Sequence, residues 1–162
     1  MNPSEPSDRP NASTATSGSP SGAGFLNRLA SRVRASRLRA IVIEGPSAPP
    51  SLETWLEEAG LVLDDDEASV RHADLLVVAG RMTLRSLPVV QRIWQQMPDP
   101  KWLLVVEPLD AGDGTLPYAM VSDPAAFLPV DVRAAADPEA VNRALVELRA
   151  IIAATDPPGD ES

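Results

Sequence analysis

The chain is 162 residues long, carries a formal net charge of −9 and contains no cysteine; that length suits one domain with tails. Without cysteine it can form no disulfide, no thiolate-held zinc or iron–sulfur centre and no cysteine nucleophile. No apolar run is long enough to span a bilayer, and the N-terminus lacks the apolar core of a secretory signal, so a cytoplasmic location is expected.

Residues 1–24 are almost all Pro, Ser, Gly, Thr, Asn and Ala. Too few large apolar side chains are present to offset the entropy of ordering, so a disordered tail is expected. Residues 25–39, "FLNRLASRVRASRLR", change character. Phe25, Leu26, Leu29 and Val33 recur at helical spacing, with Arg28, Arg32, Arg34, Arg37 and Arg39 among and after them. The pattern predicts a basic amphipathic helix. Such a helix either packs on its own domain or lies against an anionic membrane or an acidic partner protein. Residues 1–39 hold six arginines against Glu5 and Asp8, so the remaining body is more acidic than the net charge implies. An acidic body disfavours nucleic acid as a partner, because neutralising phosphates takes a basic face.

From residue 40 strands and helices alternate. "AIVIE" (40–44) is a strand, and "SLETWLEEAG" (51–60) a short helix capped by Ser51 and stopped by Gly60. "LVL" (61–63) is a second strand, followed by the acidic loop "DDDE" (64–67). "ADLLVVAG" (73–80) reads as a fully buried strand. In "LPVVQRIWQQM" (87–97), Val89, Val90, Ile93, Trp94 and Met97 predict one apolar helix face, with Pro88 suited to the first turn. "KWLLVVEP" (101–108) is another buried strand. Residues 137–154 are the last helix, with Asp137 as N-cap and Pro138 at its first position; a disordered tail is expected over 155–162. Apolar strands alternating with helices predict a parallel sheet covered on both faces, in one α/β domain over 40–154.

Local chemistry is sparse. His72 is the only histidine, and no Ser–His–Asp constellation can be built around it. Oxygen ligands in "DDDE" could take a hard cation, but the spacing matches no calcium loop and a solvated acidic loop explains it equally. "DAGDG" (110–114) lacks the strand and helix context of a dinucleotide loop and reads as a turn. Trp55, Trp94 and Trp102 read as core or interface anchors. The loop "GPSAPP" (45–50) follows the first strand, where ligands usually sit in such sheets, yet three of its residues have no amide hydrogen.

The stretch 73–108 carries a resemblance. Ala73, Asp74, Leu75, Gly80, Thr83, Pro88 and the run Gln96, Met97, Pro98, Asp99, Pro100, Lys101, Trp102 match a pattern of the 20 kDa subunit of respiratory complex I. That protein is the B-type subunit of NADH-quinone oxidoreductase; the small subunits of energy-converting nickel–iron hydrogenases share the pattern. "LPVDV" (128–132) matches a further stretch of that family. The resemblance implies a flavodoxin-like three-layer domain and a place in a membrane-associated oxidoreductase complex, on the cytoplasmic face. The implied partner is a homologue of the large, D-type subunit. It further implies that Arg81, Thr83 and Arg85 face that partner or the quinone side. The family holds one 4Fe–4S cluster on four cysteines, whose positions fall here on Ser47, Pro50, Leu109 and Asp137. The expectation is therefore a cluster-free relative with no metal or other cofactor, in which Pro49 and Pro50 stiffen the loop and Asp137 serves as a helix cap. A stand-alone flavodoxin-like module that binds a flavin or nucleotide is the alternative reading.

Overall fold

The computed structural model describes residues 37–111 and 119–155. Five strands form one sheet: β1 (Arg39–Glu44), β2 (Val62–Leu63), β3 (Leu75–Ala79), β4 (Trp102–Val106) and β5 (Val132–Ala134). All pair in parallel, in the order β2-β1-β3-β4-β5. That is the flavodoxin-like doubly wound order. Three helices complete the α/β domain: α1 (Leu52–Glu58), α2 (Leu87–Gln96) and α3 (Pro138–Ala154).

Period-two alternation assigns the central strands to two cores. Leu75, Val77, Leu104 and Val106 face α1 and α3, packing with Leu52, Leu56, Leu145 and Leu148. Leu76, Val78 and Leu103 face the other way, onto Leu87, Val90 and Met97 of the α2 side. Every residue of β3 and β4 is buried, as expected of strands covered on both faces.

Two aspartates set the register of neighbouring strands from the N-terminal end of the sheet. The Asp74 carboxylate accepts from the Arg39 amide at 3.2 Å, while the Asp74 amide donates to the Arg39 carbonyl at 2.8 Å. Asp131 repeats the device elsewhere along the same end. Its carboxylate accepts from the Leu103 amide at 2.8 Å and its own amide donates to the Leu103 carbonyl at 3.0 Å. Both residues belong to the motifs quoted above, so part of what those motifs encode is strand pairing.

Lys101 closes the far end of α2. Its Nζ donates to the Trp94 carbonyl at 2.7 Å and the Met97 carbonyl at 3.2 Å, and lies 4.8 Å from the Trp94 ring centroid. A cation on the last carbonyls of a helix complements its dipole.

Several expectations need correction. Arg39 opens β1, so the basic helix cannot run through residue 39; Arg39 is held by Asp64, with Nε and Nη2 donating at 2.9 and 3.2 Å. Of the remaining basic segment only Arg37 is described, exposed just before β1; Arg28, Arg32 and Arg34 lie outside the described residues, as do residues 1–24 and 156–162. Ser51 stands at the N-cap of α1 without a side-chain capping bond. Val89 is 57% exposed, because the helix face that meets the sheet runs through Leu87 and Val90. Asp64–Asp66 form no metal cage: Asp64 binds Arg39, and Asp66 caps a short 3-10 helix (Glu67–His72) through the Ala68 amide at 3.3 Å. No group of three or more candidate ligands that could hold a metal occurs among the described residues. His72 is exposed at the end of that 3-10 helix.

Candidate functional site at the C-terminal rim of the sheet

In a doubly wound sheet the ligand crevice opens beyond the strand ends where the connection order reverses, here between β1 and β3. In this chain that crevice is closed by main chain. The Arg81 amide donates to the Pro46 carbonyl at 2.7 Å and the Gly45 amide to the Ala79 carbonyl at 2.8 Å. Gly45 lies so close to the second loop that a Cβ on it would sit 2.1 Å from the Arg81 carbonyl oxygen. Gly80 adopts φ +78° and faces the first loop, where a Cβ would meet Pro46 O, Gly45 O and Ala48 N at 2.6–2.8 Å. Only glycine fits at either place.

The loop after β4 joins the same weld. Its Leu109 amide donates to the Ser47 carbonyl at 2.9 Å, and Ser47 adopts φ 61° to present it. Two of the four positions singled out by the resemblance, Ser47 and Leu109, are thus bonded to each other through the backbone. Pro50 is exposed at the entry to α1, with Pro49 buried beside it. Asp137 is committed elsewhere: its carboxylate accepts from the Ala140 amide at 2.8 Å and caps α3. The donor set at the four positions is therefore one hydroxyl, two apolar side chains and a carboxylate already engaged. Such a set does not fit a cluster that needs thiolates.

A charged clamp lies over this weld. The Arg81 Nε is shared between both carboxylate oxygens of Asp110 at 3.1 Å, and Nη2 donates to the Asp110 carbonyl at 3.2 Å. The Arg81 side chain is only 11% exposed. Burial opposes ionisation of Asp110, but hydrogen bonds from Arg81 and Ser47 outweigh it and hold its carboxyl below the usual range. A second clamp crosses to β5, where Arg133 binds Asp123 and, at 3.4 Å, Glu107. The Arg133 hydrogen bond, reinforced by the Ala125 amide, lowers the Asp123 carboxyl. Between the clamps lies a shallow cleft of about 220 Å³, walled by Arg81, Glu107, Met82, Val105, Val121 and Pro124.

Thr83 and Ser86 form a reciprocal box at the start of α2. The Ser86 amide donates to Thr83 Oγ1 at 3.0 Å and the Thr83 amide to Ser86 Oγ at 3.1 Å, the pattern by which a helix N-terminus satisfies its orphan donors. Arg85 is exposed on the turn between them. Arg81, Thr83 and Arg85, taken together from the sequence, therefore divide into a clamp residue, a helix-start residue and a surface cation. Asp110 and the Arg133 clamp were missed in the sequence. Their partners are 10 to 29 residues away, and no local spacing announces such pairs.

Known proteins show the same likeness. No protein-family model matches the chain. It is 42% identical over 66 residues to NADH-quinone oxidoreductase subunit 6 of Thermus thermophilus, a stretch that is 40% of this chain and 36% of that protein. It is 42% identical over 74 residues to the NADH-quinone oxidoreductase B-type subunit 2 of Chloroflexus aurantiacus, 45% and 42% of the two chains. With the B-type subunit 2 of Roseiflexus sp. the identity is 40% over 77 residues, 47% and 46% of the two. The chain thus spans less than half the length of these curated relatives. The solved structure of membrane-bound sulfane sulfur reductase, an archaeal respiratory membrane complex, holds a chain that superposes with a TM-score of 0.68. That match covers 79% of this chain and 77% of that one at 23% identity, a likeness of fold. The chain resembles the B-type, 20 kDa subunit of NADH-quinone oxidoreductase.

Proposed function

We propose that this chain, similar to the 20 kDa subunit, is a cluster-free structural or docking component of a membrane-associated respiratory complex, related to NADH-quinone oxidoreductase or an energy-converting hydrogenase. The observation that carries the reading is the bond between Leu109 and Ser47. In a chain without cysteine, two positions at which the family presents cluster ligands instead tie two loops together. What remains at the rim is shape: exposed Leu84, Arg85, Val89 and Leu109 around a rigid main-chain surface. Such a surface suits a protein partner, here a homologue of the large, D-type subunit, and supplies no group that accepts or passes an electron by the family's route.

No helix among the described residues is long and apolar enough to cross a membrane. Attachment would be peripheral, on the cytoplasmic face, with Arg28, Arg32, Arg34 and Arg37 of the N-terminal segment drawn to an anionic bilayer or an acidic protein. The direct experiment is mild-detergent purification of the tagged chain from its native host. Stoichiometric recovery of a large-subunit homologue is expected; a free monomer throughout would overturn the assignment. Iron and sulfide analysis of the same preparation is expected to find neither bound to this chain.

A second reading, a stand-alone module for a small ligand such as a flavin or nucleotide, is favoured by the cleft between the two clamps. Its volume of about 220 Å³ is below the roughly 300–1,000 Å³ usual for small-molecule sites. The first loop is also poor in free amides, with three prolines and the Gly45 and Ala48 amides already bonded. A flavin absorption spectrum in the purified protein would favour this reading over docking.

A further inference from the structure

We propose that the Arg81–Asp110 pair, seated on Ser47, is a cross-link that locks the loops after β1, β3 and β4 into one rigid rim. The need for a lock is visible in the loops themselves. Ser47 holds a left-handed conformation (φ 61°), which is unfavourable for an L-residue. Pro46, Pro49 and Pro50 remove three donors from the first loop. The third loop presents Leu109, Asp110 and Ala111 to solvent. Left alone, loops of this kind open locally at little cost.

The pair answers that need at one point. Arg81 belongs to the loop after β3, Asp110 to the loop after β4, and the Ser47 side chain of the loop after β1 hydrogen-bonds the same carboxylate. Three bonds converge from one guanidinium onto one residue, two on the carboxylate and one on its carbonyl. Charge-assisted bonds to a carboxylate are roughly twice as strong as neutral ones. The guanidinium is largely withdrawn from water, so salt screens it less than a surface pair. The ion pairs Arg39–Asp64 and Arg133 with Glu107 and Asp123 involve none of these three residues. The inference rests on this geometry and is independent of whether the rim docks a partner.

Amide hydrogen exchange on the full-length protein tests it, comparing wild type with Arg81→Met, Asp110→Ala and the double variant. Each single change is expected to speed exchange of the Leu109 and Arg81 amides by about tenfold or more, the worth of a charge-assisted bond. The amides of Val77 and Leu104, deep in the sheet, should stay within about twofold under the same reasoning. The double variant should be no worse than the worse single, since both remove one interaction. Unchanged exchange at Leu109 in both singles overturns the proposal. So does an additive loss in the double, or a loss spread evenly over sheet and rim. Should Arg81→Met prevent folding, Asp110→Asn keeps loop and side-chain shape while removing the charge, and the same readout decides.

Discussion

The amide of Leu109 donates to the carbonyl of Ser47 across 2.9 Å, joining two loops through atoms that every residue type other than proline possesses. The side chains at both positions are therefore nearly irrelevant to the joint. Leu109 is 59% exposed, and its replacement by Ser should move stability by less than about 0.5 kcal/mol, as for other surface changes away from special features. A thermal melt checks this. If Leu109 is part of a docking face, the same variant weakens recovery of the partner while leaving the melt in place.

The glycines behave in the opposite way. Gly80→Ala places a Cβ within 2.6–2.8 Å of three backbone atoms of the first loop while φ stays at +78°. Gly45→Ala places one 2.1 Å from the Arg81 carbonyl oxygen. Neither collision involves a flexible side-chain end, so the backbone must move. Each should cost about 3 kcal/mol or more, in the range reserved for strain at special positions. Urea unfolding, read as a lower midpoint with an unchanged slope, is the measurement.

Asp131 separates hydrogen bonding from charge. Burial raises its carboxyl above the ordinary range, opposed by the hydrogen bond from the Leu103 amide. A carboxyl raised in the folded state binds more protons there than when unfolded, so its contribution makes stability fall as pH rises through that window. Asp131→Asn keeps an acceptor for Leu103 and removes this loss; it should be neutral or stabilising at about pH 7. Asp131→Ala leaves the Leu103 amide without this partner and should cost about 1–3 kcal/mol. Equal destabilisation by both variants would count against the account.

Asp110 and Asp123 work in the reverse sense. Both carboxyls are held below the usual range, so the stability that they supply is present above the unfolded value of about 3.9 and lost as pH falls through the lower folded values. The acid limb of a stability–pH curve should therefore steepen below about pH 4. In Asp110→Asn and Asp123→Asn that limb should flatten, each independently of the other.

Asp137 supplies a final check on the helix that closes the domain. Loss of its bond to the Ala140 amide in Asp137→Ala should cost about 1 kcal/mol, and Asp137→Ser should restore most of it. Circular dichroism melts of the pair distinguish capping from any other role.

How far the sequence could be read follows from the range of each interaction. β3, β4, α2 and α3 were legible because their signals are local: unbroken apolar runs, apolar residues at helical spacing, an Asp-Pro helix start. β5 was not apparent from pattern alone, since three residues with burial alternating around exposed Arg133 are too short to show a period. The strand start at Arg39 was hidden inside a pattern that also scores as helix, and tertiary pairing with Asp64 and Asp74 decided it. Val89 was misplaced because apolar spacing fixes a helix face only to within a neighbouring position. At the rim, Gly80 and Asp137 could be singled out, while the Arg81–Asp110 and Arg133 clamps depend on how loops distant in sequence meet.

A joint made of main chain has an evolutionary corollary. Side chains around Gly45 and Gly80 can turn over freely, and with them any reactivity that they once carried, while the contour of the surface is inherited intact. A neighbouring protein that reads the contour would not register the change.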